Sequence, residues 1–281
     1  MSDNLFAGLE QLGLGDMSEL EVFEEEKKEE EQEKKKVHEV TEEELLFDKT
    51  YVCPVCEKKF TSKMIKTGKN QLVGSDSDLR AKYSIADPIK YECVVCGNCG
   101  YAALSRFYGK QTEKQYDLIK EKISSKFKGV DETAPVYSYD EAFVRYQLAL
   151  ANAVVRNAKD SERGYICLKI AWILRGKSEN LPSDMEELDQ ARKELKQQEK
   201  AFIKNAYHGL KEAMLKESMP ICGMDEHTIM YLVADLARQC RDYPVSLKLV
   251  SEIITSKSVT PKLKDRALEL KDMIKKEVGK K

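Results

Sequence analysis

Cys53-Pro54-Val55-Cys56 and Cys96-Gly97-Asn98-Cys99 are two C-x-x-C pairs in one chain. Two such pairs are the usual means of building one four-sulfur metal site. Each pair forms a tight turn that aims both sulfurs at a common point. Its backbone amides curl towards the thiolates and stabilise them. Pro54 fixes the first turn, and Gly97 and Gly100 give the second its backbone freedom. Two complete pairs close a tetrahedral shell, whereas catalytic zinc keeps one position for water. The expectation is one structural Zn2+ held by Cys53, Cys56, Cys96 and Cys99. Iron uses similar ligands and stays open as the alternative. A redox C-x-x-C would sit in a βαβ pattern, and none is visible.

The pairs are separated by 39 residues, against about 15–20 in short ribbons. The insert must therefore carry strands or a loop of its own. Ile89, Tyr91, Cys93 and Val95 alternate, which predicts a half-buried strand over 89–95. Residues 49–52 form a second candidate strand. By its parity Cys93 belongs to the core rather than to the metal. Cys167, Cys222 and Cys240 lie on or beside apolar helices and are expected to pack. His38, His208 and His227 have no ligand spacing to a cysteine pair. Phe60 and Tyr101 follow the two turns, where their rings can cover the site.

After Gly109 the pattern turns helical. Thr112-x-x-Gln115, Ser138-x-x-Glu141 and Ser183-x-x-Glu186 read as capping boxes. Phe143, Tyr146, Leu150 and Val154 are expected to face inward. Tyr165–Leu174 is apolar nearly all round apart from Lys169, and Gly176 is expected to end that helix. A long segment then runs towards Met219-Pro220. Helices follow around Ile229–Leu236, from Asp242-Tyr243-Pro244, and from Thr260-Pro261, where Thr can cap and Pro suits the first turn.

Residues 1–49 hold 17 Asp/Glu against 6 Lys/Arg, a net −11, which leaves +9 on the rest of a chain whose total is −2. Residues 21–44 are nearly all Glu and Lys and are expected to be disordered or a lone solvated helix. No apolar run approaches the ~20 residues that cross a bilayer, and the start lacks the pattern of a secretion signal. The expectation is a cytoplasmic protein with no membrane partner.

The ordered string Cys-Pro-Val-Cys56, Gln71-Leu-Val-Gly-Ser-Asp-Ser-Asp78, Asp87-Pro88, Tyr91 and Cys96-Gly-Asn-Cys-Gly-Tyr-Ala102 resembles an uncharacterised bacterial family, domain of unknown function 2225. The likeness continues through Tyr146-Gln-Leu-Ala-Leu150 and Cys167-Leu-Lys-Ile-Ala-Trp172. It implies a zinc-binding part followed by helices related to tetratricopeptide repeats, and it supplies no enzyme activity. Two positions depart from the pattern. Glu57 stands where such turns often have Gly, and Cys93 stands where an apolar residue is expected.

The fold expected is α+β and mostly α. A small β zinc ribbon (47–108) follows an acidic tail (1–46) and precedes an all-α, tetratricopeptide-like domain (109–281). Gly164, Leu168 and Ala171 fit the second helix of one repeat unit, and Ala234, Asp242-Tyr243, Ser246 and Val250 fit another loosely, with a plain helical bundle as the alternative. Loss of Cys96 is then expected to unfold the ribbon and spare the helices.

The expected function is an interaction or adaptor protein whose helical groove takes a protein or peptide. The alternative is nucleic-acid binding through Lys58, Lys59, Lys63, Lys66 and Lys69, with Phe60 and Tyr83 available for stacking. Asp76, Asp78 and Asp87 are the only candidate acid cluster, and Gly74-Ser-Asp-Ser-Asp78 reads as a turn. No phosphate loop, dinucleotide fingerprint or nucleophile elbow is present, so no enzyme is expected.

Overall fold

The computed structural model describes residues 40–66, 68–130, 134–182 and 187–279. The acidic tail up to residue 39, His38 and the Ser183-x-x-Glu186 box lie outside the described residues. Residues Val40–Lys281 form one compact unit. Packed structure is already present ahead of residue 47. Leu45 is buried, and Glu42 accepts hydrogen bonds from Lys90 and from the Tyr91 hydroxyl.

Three short antiparallel hairpins come first. β1 (Leu46–Val52) pairs with β2 (Lys59–Ile65), from Leu46↔Ile65 to Val52↔Lys59. β3 (Leu72–Ser75) pairs with β4 (Ala81–Tyr83), and β5 (Cys93–Val95) pairs with β6 (Ala102–Leu104). The first and third hairpins each carry a cysteine pair at their tip. The second lies within the insert.

The strand expected over 89–95 is only half correct. Pro88–Tyr91 is a 3-10 turn, with the Asp87 side chain accepting from the Ile89 amide. An Asp cap followed by Pro at the first helical position overrides the alternation. The strand starts at Cys93, and its three residues are all buried rather than alternating.

Seven helices follow in the described residues: α1 (Glu113–Ile119), α2 (Tyr139–Val155), α3 (Asp160–Glu179), α4 (Glu187–Lys216), α5 (Glu226–Gln239), α6 (Tyr243–Thr255) and α7 (Pro261–Val278). Thr112 and Ser138 form complete capping boxes, and Thr260 caps α7. Consecutive helices pack on one another from α2 to α7. Among the described residues no helix is long and apolar enough to cross a membrane.

The inner face of α2 is Ala142, Tyr146, Ala149 and Ala153, and Val154 is exposed. Small residues let α2 sit close to β5, β6 and α3, while Phe143 and Leu150 are half-buried against the same core, so that of the four residues expected inward only Val154 faces out. Gly176 does not end α3. Its hydrogen side faces Tyr139, whose ring would lie 2.5 Å from an added Cβ. Nearby, α3 and α4 meet backbone to backbone. A Cβ on Gly164 would lie 2.9 Å from the Leu210 amide nitrogen, and one on Gly209 the same distance from the Gly164 Cα.

Cys93, Val95, Ala102 and Leu104 share one apolar core with Ala142, Tyr146 and Ala149 of α2 and Ile166, Ile170 and Ile173 of α3. The ribbon and the helices therefore have a common interior. Lys169, expected to interrupt the apolar helix, is itself buried. It pairs with Glu92 at 2.8 Å and lies over the Tyr165 and Trp172 rings. A second core joins Tyr231 and Ala234 to Val250, Ile253, Ala267 and Leu270 across α5–α7.

Candidate metal centre

The cysteine turns are two copies of one structure. Cys53 N–H donates to Lys58 O at 3.0 Å and Cys96 N–H donates to Tyr101 O at 2.8 Å. Within each loop, the amide four residues after the first cysteine donates back to that cysteine's carbonyl. Glu57 N to Cys53 O is 2.8 Å, and Gly100 N to Cys96 O is 2.9 Å. The donating residue has positive φ in both turns, +62° at Glu57 and +73° at Gly100, and this bends the chain back so that the next carbonyl accepts from the first cysteine's amide.

The four sulfurs lie within 4.8 Å of one another. Cys53 and Cys99 are 3.5 Å apart, and Cys56 and Cys96 are 3.7 Å apart. A tetrahedron with metal–sulfur bonds of about 2.3 Å has edges of about 3.8 Å, so the separations suit ligands of one ion. They are far too long for disulfides, whose sulfurs sit about 2.05 Å apart, and the cysteines are all reduced. Among the described residues this is the one group of three or more His, Cys, Asp or Glu side chains placed to share an ion.

Electrostatics point the same way. Cys96 is held far below the usual thiol range by hydrogen bonds from the Cys53 and Cys99 thiols, with help from the Asn98 and Cys99 amides. Cys53 is pushed up to about 12, first by its bond to Cys96, although the Cys56 and Val55 amides pull it back. Cys99 is pushed up by Cys53 and Cys96. Crowded sulfurs cannot all ionise alone, because like charges at this range oppose one another. A cation among them removes that conflict, so the four cysteines can hold a metal ion.

Cys53, Cys96 and Cys99 are buried. Tyr101 covers them as expected, and Phe60 packs alongside. Tyr108 and Tyr116 complete the cover and were not legible as site residues. Tyr108 lies 5.1 Å from Tyr101 and 5.2 Å from Tyr51 between ring centres, and Tyr116 lies edge-on to Tyr101 at 5.9 Å. They come from a loop and from α1, with no spacing that ties them to the cysteines.

The remaining candidates are placed elsewhere. Cys93 is a core residue whose thiol donates to Arg145 O at 3.3 Å. Cys167 and Cys222 are buried among helices, and Cys240 is half-buried. His208 and His227 belong to no such group. Lys58 donates to Asn98, Lys63 pairs with Asp48, and Lys66 donates to Glu44 O. Lys59 and Lys69 are exposed.

Asp76 and Asp78 sit in the β3–β4 turn and grip helix α3. Arg175 donates to both oxygens of Asp78, at 3.0 and 2.7 Å, and also to Asp76 and Glu199. Asp87 pairs with Arg80. Gln239 donates to Asp235 and lies 3.4 Å from Asp78. The insert is thus tied to α3 and α5 by part-buried polar contacts, and Arg175 links the same network to Glu199 of α4.

No curated protein and no solved structure matches the chain. Residues 46–274 match the family described as "Uncharacterized protein conserved in bacteria (DUF2225)", and the chain belongs to that family.

Proposed function

We propose that this is a cytoplasmic adaptor in which one structural Zn2+ locks the two cysteine turns together and a cleft among the helices binds a protein or peptide partner. Zinc suits a closed shell of four thiolates better than a role needing an open position. Consecutive helices pack on one another from α2 to α7, which supports a stacked, tetratricopeptide-like reading, a design that leaves a groove for a partner.

The observation that carries the partner reading is an open cleft of about 1110 Å³ bordered by α4, the end of α5, the start of α6 and the end of α7. Ile203, Tyr207, Cys240 and Tyr243 supply its apolar lining. Arg238 and Glu199, also on its wall, are fixed by Asp235, Glu277 and Arg175. A wall held this firmly loses little entropy on binding.

Binding rather than catalysis fits the fate of the acid cluster. Asp76 and Asp78 are occupied by Arg175, and Asp87 by Arg80. The nucleic-acid alternative has weaker support, because Lys58, Lys63 and Lys66 are spent on contacts within the chain and Phe60 is packed with Tyr51 and Tyr108.

The test is site-specific crosslinking in living bacterial cells, with a photoreactive residue at Tyr207 and, as control, at Val144 on the exposed face of α2. The expected result is a discrete protein adduct from Tyr207 alone, unchanged by nuclease. Adducts removed by nuclease, or the same adducts from both positions, would reject the reading.

A further inference from the structure

We infer that the α4–α7 cleft recognises an extended acidic peptide segment of a partner protein, with carboxylates at alternate positions. This rests on the cleft being the partner surface. The wall contributed by α4 carries Lys196, Lys200 and Lys204, and Arg241 stands on the opposite rim. The three lysines recur every four residues, so they share one side of the helix about 6 Å apart. Side chains on one face of an extended chain recur every 6.6–6.8 Å, roughly. The two repeats match closely enough for successive lysines to meet alternate residues of one strand-like peptide.

The charges within the cleft are unequally engaged. Its acids are already occupied: Glu199 accepts from Arg175 at 2.7 Å, Glu277 from Arg238 at 2.6 Å, and Asp242 from the Tyr207 hydroxyl at 2.7 Å. Lys196, Lys200 and Arg241 are exposed and make no ion pair among the described residues. The cleft therefore presents net positive charge beside apolar surface. An acidic segment complements both features, whereas a basic or purely apolar one leaves the lysines opposed or unmatched.

The probe is a fluorescent synthetic peptide of alternating Glu and Leu, compared with a Gln-for-Glu twin and a single-stranded DNA oligonucleotide, by anisotropy on the full chain. The acidic peptide is expected to bind at low ionic strength and to weaken as salt screens the lysines. The twin should bind roughly tenfold more weakly or worse. Lys196→Glu with Lys200→Glu, both exposed, should weaken the acidic peptide by roughly tenfold, since each such pair contributes a few-fold and reversal adds repulsion. Its unfolding midpoint should stay near that of the parent chain. Equal binding of the twin would overturn the charge assignment while leaving the cleft as a partner surface. Unchanged binding by the variant, no binding of either peptide, or tighter, variant-sensitive DNA binding would overturn the inference. The in-cell crosslinking separately decides whether the cleft binds protein at all.

Discussion

Glu57 and Gly100 occupy the same position in two copies of one turn, each with positive φ and each donating its amide to the carbonyl of the cysteine four residues earlier. Only one of them is glycine. An L-residue in this left-handed region costs about 1–2 kcal/mol, so the first turn holds strain that the second does not.

Glu57→Gly is therefore expected to stabilise the protein by about 1 kcal/mol, after the extra freedom of glycine in the unfolded chain is set against the relief of strain. Gly100→Ala should do the opposite and more strongly, by about 2 kcal/mol or more. It combines positive φ with a Cβ placed 2.7 Å from the Phe127 ring. Thermal unfolding of the metal-loaded chain measures both. Destabilisation by Glu57→Gly would show that the strain is compensated.

The contact between α3 and α4 leaves no room for a methyl group at Gly164. Gly164→Ala should cost about 1–3 kcal/mol as the helices are pushed apart. Gly74→Ala meets no atom within 4 Å and should change stability by less than about 0.5 kcal/mol. Denaturant unfolding of the two variants gives the comparison, and equal effects would contradict the close crossing.

Arg175→Met should destabilise by about 3–5 kcal/mol, because it leaves the fully buried Asp78 carboxylate without its main partner. Arg175→Lys should recover little, since a lysine cannot reproduce the two-pronged contact. A midpoint close to that of the parent chain for Arg175→Lys would show that charge alone suffices.

Acid stability follows from Asp76. Burial pushes its carboxyl up, but hydrogen bonds from Lys82 and Arg175 outweigh this and hold it below the ordinary value of 3.8. A depressed folded pKa gives stability that is complete above the unfolded value and is lost as pH falls through the folded one. Asp76→Asn should thus be less stable than the parent at neutral pH, with the gap closing below pH 3.8. A gap that persists unchanged into strong acid would rule out the ionic contribution.

Signals carried by a few neighbouring residues were legible in the sequence. The cysteine spacing brought four distant sulfurs together on paper, and Thr112, Ser138 and Thr260-Pro261 marked helix starts through bonds made within one turn. Signals that depend on a remote neighbour were not. Gly176 resembles a helix stop, but its lack of a side chain answers to Tyr139. The alternation over 89–95 has the period of a strand, yet Asp87 and Pro88 impose a tight turn on its first half. Tyr108 and Tyr116 join the site only because β6 and α1 are folded against it.

The shared core also changes what losing the metal should do. Residues flanking Cys96 and Cys99 pack against α2 and α3, so the helices should be weakened along with the ribbon rather than spared.

Elemental analysis of freshly purified, untagged protein, run beside Cys53→Ser and Cys96→Ser, tests the metal centre most directly. One zinc ion per parent chain and none in either variant is the predicted result. A parent chain free of transition metal, or variants that retain the same metal content, would contradict it.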